Sequence, residues 1–192
     1  MTAPTMTWQQ ILAHATCWIG ALAQVDLADA FEDHQTRTFT ASDLRVLDPK
    51  RYSMPFIGEW AQRFGDPLVD ASLRRFVVAC AERSNPSGAR GHAVISGVLK
   101  AASRFANGKA DSDELDAAAL RACELYVIGP DGPTRLRALM AVHCCAPTGR
   151  IPATEVASIA ETLALLRQSN EDEAEWQREA FIATFSHGCV GE

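Results

Sequence analysis

The amino-acid sequence predicts an all-α protein, a compact multi-helix bundle of about seven helices in antiparallel pairs with no significant sheet. Three observations predict it. Thirty-two residues are Ala and sixteen are Leu, against eleven Val and eight Ile; Ala and Leu favour helix, whereas β-branched residues favour strand. Apolar residues recur at helical spacing in most segments. Gly, Pro and Asn fall between those segments, where helices have to stop. With 192 residues and a hydrophobic fraction of 47%, the chain is too apolar for disorder and long enough to bury its own core. It reads as a single all-α domain over residues 1–192, with 34–54 a less regular connection.

Thr7 and Gln10 form a capping-box pattern that starts the first helix. Trp8, Ile11, Leu12, Ala15, Trp18, Ile19 and Leu22 give it one apolar face. Asp26 to Asp33 continues as a short acidic turn. His34 to Thr40 alternates like a strand but has no evident partner, so it is expected to be an extended connection. Ser42-Asp43 caps a short helix through Leu47, stopped by Pro49. Pro55 opens another short helix, ended by Gly65.

Asp66-Pro67 is an N-cap followed by proline at the first helical position. Leu68, Val69, Leu73, Phe76, Val77 and Cys80 form the buried stripe that follows. The next helix, about 89–106, turns Ile95, Val98, Leu99, Ala102 and Phe105 inward and ends at Asn107-Gly108. Asp111 or Ser112 caps a helix with Leu115, Ala118, Ala119, Ala122 and Tyr126 on one face. After the Gly129–Pro133 turn, Thr134 to about Ala146 is helical, with Leu136, Leu139, Met140 and His143 or Cys144 inward. A helix over about 153–168 carries Val156, Ile159, Leu163 and Leu166. Ser169 or Asn170 caps the last one, with Trp176, Ala180, Phe181 and Phe185 inward.

Charge and cysteine usage narrow the function classes. The net charge is -6, which argues against broad phosphate-backbone binding. Arg45, Lys50 and Arg51 interleave with Phe39, Tyr52 and Phe56, but helix packing explains those aromatics as well as a base-stacking groove does. Nucleic acid is therefore not the expected partner. No apolar run reaches the roughly 20 residues that span a bilayer, so no membrane partner is expected. No Lys or Arg precedes Arg37, a pattern unlike a secretory signal. The expected location is the cytoplasm, with the six cysteines reduced and mostly serving as small core residues.

Candidate chemistry is sparse. His143-Cys144-Cys145 and His187-Gly188-Cys189 carry soft ligands, and a tetrahedral zinc site needs four of them. Adjacent Cys144 and Cys145 diverge by about 100° on a helix, so one at most faces a shared site. A cysteine nucleophile needs a helix N-terminus or a cation to lower its pKa, and these thiols come late in their helices. Neither a Gly-x-Ser-x-Gly elbow nor a phosphate loop occurs in the sequence. The carboxylates Asp26, Asp29, Glu32 and Asp33 lack the alternating oxygens and central Gly of a calcium loop. No catalytic residue, cofactor or metal is assigned, and the expectation leans away from an enzyme.

From residue 66 onward the order of elements resembles a loose group of helix-rich bacterial proteins. Leu73-Arg74-Arg75-Phe76-Val77-Val78-Ala79-Cys80 is similar to a helix of that group. The later Phe105-Ala106-Asn107-Gly108 stop, the Asp113-Glu114-Leu115 helix opening and Glu175-Trp176-Gln177-Arg178 also have counterparts there. The group includes immunity proteins of polymorphic toxin systems. The likeness covers residues 66–186, about two thirds of the chain. It implies an all-α binding protein without catalysis of its own.

The expected function is thus that of a non-enzymatic protein-binding protein, an immunity or antitoxin-like inhibitor that occludes a basic toxin domain. Its expected contact face is the densest acidic run, Glu171, Asp172, Glu173 and Glu175. The same carboxylates also suit a helix N-terminus, where the macrodipole favours negative charge. Two other readings stay open: a metal-binding protein or enzyme using His143, Cys145 and His187, and a helical scaffold or assembly subunit.

Overall fold

The computed structural model describes residues 5–14, 18–48, 67–166 and 173–186. It is all-α, with one minor two-stranded sheet. The elements are β1 (Met6–Thr7), α1 (Trp8–His14), α2 (Trp18–Ala30), β2 (Thr38–Phe39), a 3-10 helix (Ala41–Val46), α3 (Pro67–Arg83), α4 (His92–Ala106), α5 (Ser112–Ile128), α6 (Gly132–Cys144), α7 (Ala153–Leu166) and α8 (Glu173–Ser186). They fall into two compact units, one within residues 1–65 and 174–192, the other Asp66–Glu173.

In the first unit the predicted capping box is present. The Thr7 amide donates to Gln10 Oε1 at 2.8 Å and the Gln10 amide donates to Thr7 Oγ1 at 3.3 Å. The described part of the 34–54 connection, residues 34–48, is more ordered than its sequence suggested. Thr38–Phe39 pairs antiparallel with Met6–Thr7, Phe39 opposite Met6. The partner is two residues long, too short to show as an alternating run. The following turn is capped two residues earlier than Ser42, by Thr40: Asp43 Oδ2 accepts from the Thr40 amide at 2.7 Å and from the Thr40 hydroxyl at 3.1 Å. Phe181 and Phe185 of α8 are buried with their rings 4.4 Å apart. The proposed helix over 55–64 and the caps at Asp66, Ser169 and Asn170 lie outside the described residues.

The second unit is built from α3 to α7. The predicted stripe on α3 is buried at Leu73, Phe76, Val77 and Cys80, as are Ile95, Val98, Leu99 and Ala102 of α4. Gly108, at φ 66°, lets the chain leave α4 in the left-handed region. The Gly108 amide then donates to the Phe105 carbonyl and the Lys109 amide to the Arg104 carbonyl, closing the helix end. Asp111 caps α5, accepting from the Glu114 amide at 2.9 Å, and Asp131 caps α6, accepting from the Thr134 amide at 2.7 Å.

Three residues predicted on inward faces point outward instead. Leu12 of α1, Tyr126 of α5 and Leu166 of α7 are exposed. Tyr126 and Leu166 lie close to their helix C-termini, where the neighbouring helix no longer covers the stripe. Among the described residues no helix is long and apolar enough to cross a membrane.

Candidate protein-interaction face

Helix α5 packs chiefly on α4 and α6. Its inner face is made of small residues: Ala118 and Ala122 are fully buried, with Leu115 beside them. Small side chains let backbones approach closely. At its far end Gly91, at φ 75°, stands where a Cβ would come within 2.8 Å of Leu125 Cδ2. The tight inner contact leaves the bulky residues of α5 on the other side. Leu120 is 66% exposed, Val127 73% and Ile128 77%. Helical spacing puts Leu120 and Val127 within about 20° of one another, so these two make one outward apolar line, while Ile128 lies about 80° round the helix from Leu120. Cys123 is exposed beside them.

Exposed carboxylates border that stripe: Asp113 and Asp116 toward the N-terminus, Glu124 between Leu120 and Ile128. None of the three makes a hydrogen bond or ion pair among the described residues. Their neighbour Glu114 is engaged, accepting from Arg104 at 2.6 Å. Asp113 lies in the first turn, where the helix dipole favours it. Glu124, three turns in, has no such role.

The acidic run read as the contact face is arranged differently. Glu171 and Asp172 lie outside the described residues. Glu173 accepts from Arg83 Nε at 2.8 Å and its side chain is largely buried. Glu175 lies 3.9 Å from Arg178. Farther along α8, Arg45 and Arg178 reach Glu179 at 2.9 and 3.3 Å, and those cations hold its carboxyl below the usual carboxylate range. Internal arginines answer this charge, so Glu173 is not presented to a partner. Asp113, Asp116 and Glu124 of α5 are exposed.

The His/Cys readings also find specific positions. Cys80 and Cys144 are fully buried, and burial pushes both thiols well up. Cys145 is pushed up to about 11, again by burial. All three are neutral thiols near pH 7, unsuited to nucleophilic attack. Among the described residues no group of three or more His, Cys, Asp or Glu is placed to hold a metal. His187 and Cys189 lie outside those residues.

His143 is half-buried, with Nε2 3.0 Å from Glu155 Oε2. Burial lowers its pKa from 6.5 and outweighs Glu155, whose exposed charge is screened by water. The unfolded chain therefore takes up this proton first as pH falls. The stability contributed by the neutral ring is present above about pH 6.5 and is lost as pH falls toward the lower folded value. His143→Gln is expected to flatten the decline of unfolding free energy between neutral and mildly acid pH, followed by urea titration at several pH values. Equal slopes in the two proteins would remove the ring from the account.

One polar cluster was not evident from the sequence. Ser96 Oγ lies 3.3 Å from His92 Nε2, His92 Nδ1 lies 3.1 Å from the Asn85 carbonyl, and Asn85 Nδ2 donates to Ser96 Oγ at 3.2 Å. A serine beside an imidazole is a pairing that nucleophilic catalysis uses. Here the groups are spent tying the 84–91 loop to the first turns of α4. The i, i+4 spacing of His92 and Ser96 was the available signal.

Of the basic and aromatic residues weighed for nucleic acid, only Phe39 and Arg45 are described, and Arg45 is exposed. Phe39 is fully buried and Arg45 pairs with Glu179. The chain matches no protein-family model, no curated protein and no solved structure.

Proposed function

We propose that this chain is a protein-binding protein of the immunity type, acting without catalysis by covering a working surface of its partner, and that the outer face of α5 makes the contact. The observation that carries this reading is the exposed line Leu120 and Val127, bordered by Asp113, Asp116 and Glu124, which make no hydrogen bond or ion pair among the described residues. Large apolar side chains grouped on a surface cost solvation free energy that a partner recovers by burying them. A polar rim around such a core is the usual anatomy of an interface.

The test is reconstitution with an identified partner. A protein retained in stoichiometric amount by the full chain from its source cell is identified, purified and titrated back by calorimetry. Leu120→Asp together with Val127→Asp is expected to weaken that complex about 100-fold or more. The folded state should change little, because exposed substitutions usually stay within about 0.5 kcal/mol. An unchanged affinity would remove α5 as the contact face.

A further inference from the structure

The charge and shape of the α5 face name a class of partner, an inference that rests on reading that face as the contact face. Asp113 to Ile128 extends about 22 Å along one helix side at 1.5 Å per residue. Taking Leu120 as the centre, Val127 lies about 20° to one side, Asp116 about 40° to that side, and Asp113 and Glu124 about 20° and 40° to the other, with Ile128 outside them at about 80°. The apolar line is thus flanked on both sides by negative charge. The nearest exposed cation on the helix, Arg121, sits about 100° away at the edge of the face.

A partner that fits must bring apolar side chains in a line and cations on either side of it. An amphipathic helix with Lys or Arg flanking its apolar stripe does both, packing ridge into groove along α5. An edge strand fits poorly, since its unpaired backbone groups need a sheet edge, which a helix cannot supply. A second copy of this chain would set Asp113, Asp116 and Glu124 near their own counterparts, and like charges repel. We propose that the outer face of α5 docks a cationic amphipathic helix of a partner protein, with Leu120 and Val127 seating its apolar stripe and Asp113, Asp116 and Glu124 its flanking cations.

The probes are three fluorescein-labelled synthetic helical peptides sharing one leucine stripe, with flanks of Lys, Gln or Glu. Each is titrated by fluorescence anisotropy into the full chain, at low and high salt. The Lys-flanked peptide is expected to bind at least about 10-fold tighter than the Gln-flanked one, with the advantage shrinking at high salt. The triple variant Asp113→Lys, Asp116→Lys, Glu124→Lys should invert the preference toward the Glu-flanked peptide. Leu120→Asp, or the milder Leu120→Gln, should weaken every peptide. Circular dichroism and urea midpoints confirm that the variants are folded.

If Leu120→Asp weakens binding but the three flanks bind alike, the face stands and the cationic class falls. If neither Leu120 variant changes any peptide, or no peptide binds, the face falls with it. A dimer in light scattering that Leu120→Asp converts to monomer would make a second copy the occupant and overturn the proposal.

Discussion

Arg74→Met is expected to lower the unfolding free energy by about 3–5 kcal/mol, the range for removing one side of a buried charged network. Arg74 is completely buried. Nη1 donates to the Cys144 carbonyl at 2.6 Å and Nη2 to the Ala146 carbonyl at 2.8 Å. A helix leaves its last carbonyls without partners, and its C-terminal end favours a cation. Arg74 meets both needs at the end of α6. Asp70, one turn earlier on α3, lies 3.5 Å from Nη2, and its Oδ1 accepts from the Gly149 amide at 2.6 Å. One side chain thus ties α3 to the end of α6, and its neighbour Asp70 ties α3 to the loop that follows.

The guanidinium is not fully satisfied, because Arg74 Nε is buried without a partner. Its removal nevertheless orphans two carbonyls, at about 1–3 kcal/mol for each that stays dry. Arg74→Lys keeps the charge but not the two-pronged geometry, so an intermediate loss is expected. Urea unfolding measures both variants, and faster hydrogen exchange at the Gly149 amide should accompany the loss. A cost below about 1 kcal/mol for Arg74→Met would show that water replaces the guanidinium.

That site also marks where the sequence stopped being legible. Helix stops and starts were readable because the signal is local: Thr7 with Gln10, Asn107 with Gly108 and Asp111 with Glu114 each act over a few residues. Nothing local in Arg74-Arg75 marks a buried role, since arginine is mostly a surface residue. In the fold each closes a different helix. Arg74 reaches the end of α6, and Arg75 donates to the Ala106 carbonyl and to Asn107 Oδ1 at the end of α4, both at 3.1 Å. Those partners are about seventy and thirty residues away, and nothing local encodes them.

The candidate face was missed for a related reason. Helix α5 has two apolar stripes, and periodicity alone does not say which one is buried. Ala118 and Ala122 are legible as one face by their spacing and are buried, whereas nothing local marks Leu120 and Val127 as an exposed line. The acidic run at 171–175 drew attention by its density. Density does not reveal pairing, and Arg83, which engages Glu173, is ninety residues away.

Phe39→Ala is expected to cost about 3–5 kcal/mol, the range for deleting a buried aromatic ring. Phe39 is fully buried. Its ring lies 5.9 Å from that of Trp8 and 5.8 Å from that of Phe31. The Arg37 guanidinium sits 3.8 Å over the Phe31 ring and 5.1 Å from Phe39, and it donates to Asp43 at 2.8 Å. A two-residue ladder has too few hydrogen bonds to set its own register. Burial of Phe39 opposite Met6 sets it, because a one-residue slip would turn exposed Thr38 inward. Phe39→Leu keeps part of the volume and should lose about half as much. Thr38→Ala, on the outward side of the same strand, should stay within about 0.5 kcal/mol. Near-ultraviolet circular dichroism should lose part of its tryptophan signal in Phe39→Ala only, as Trp8 loses its neighbour. If Thr38→Ala proved as costly as Phe39→Ala, the ladder itself and not the ring would be holding β1 to β2.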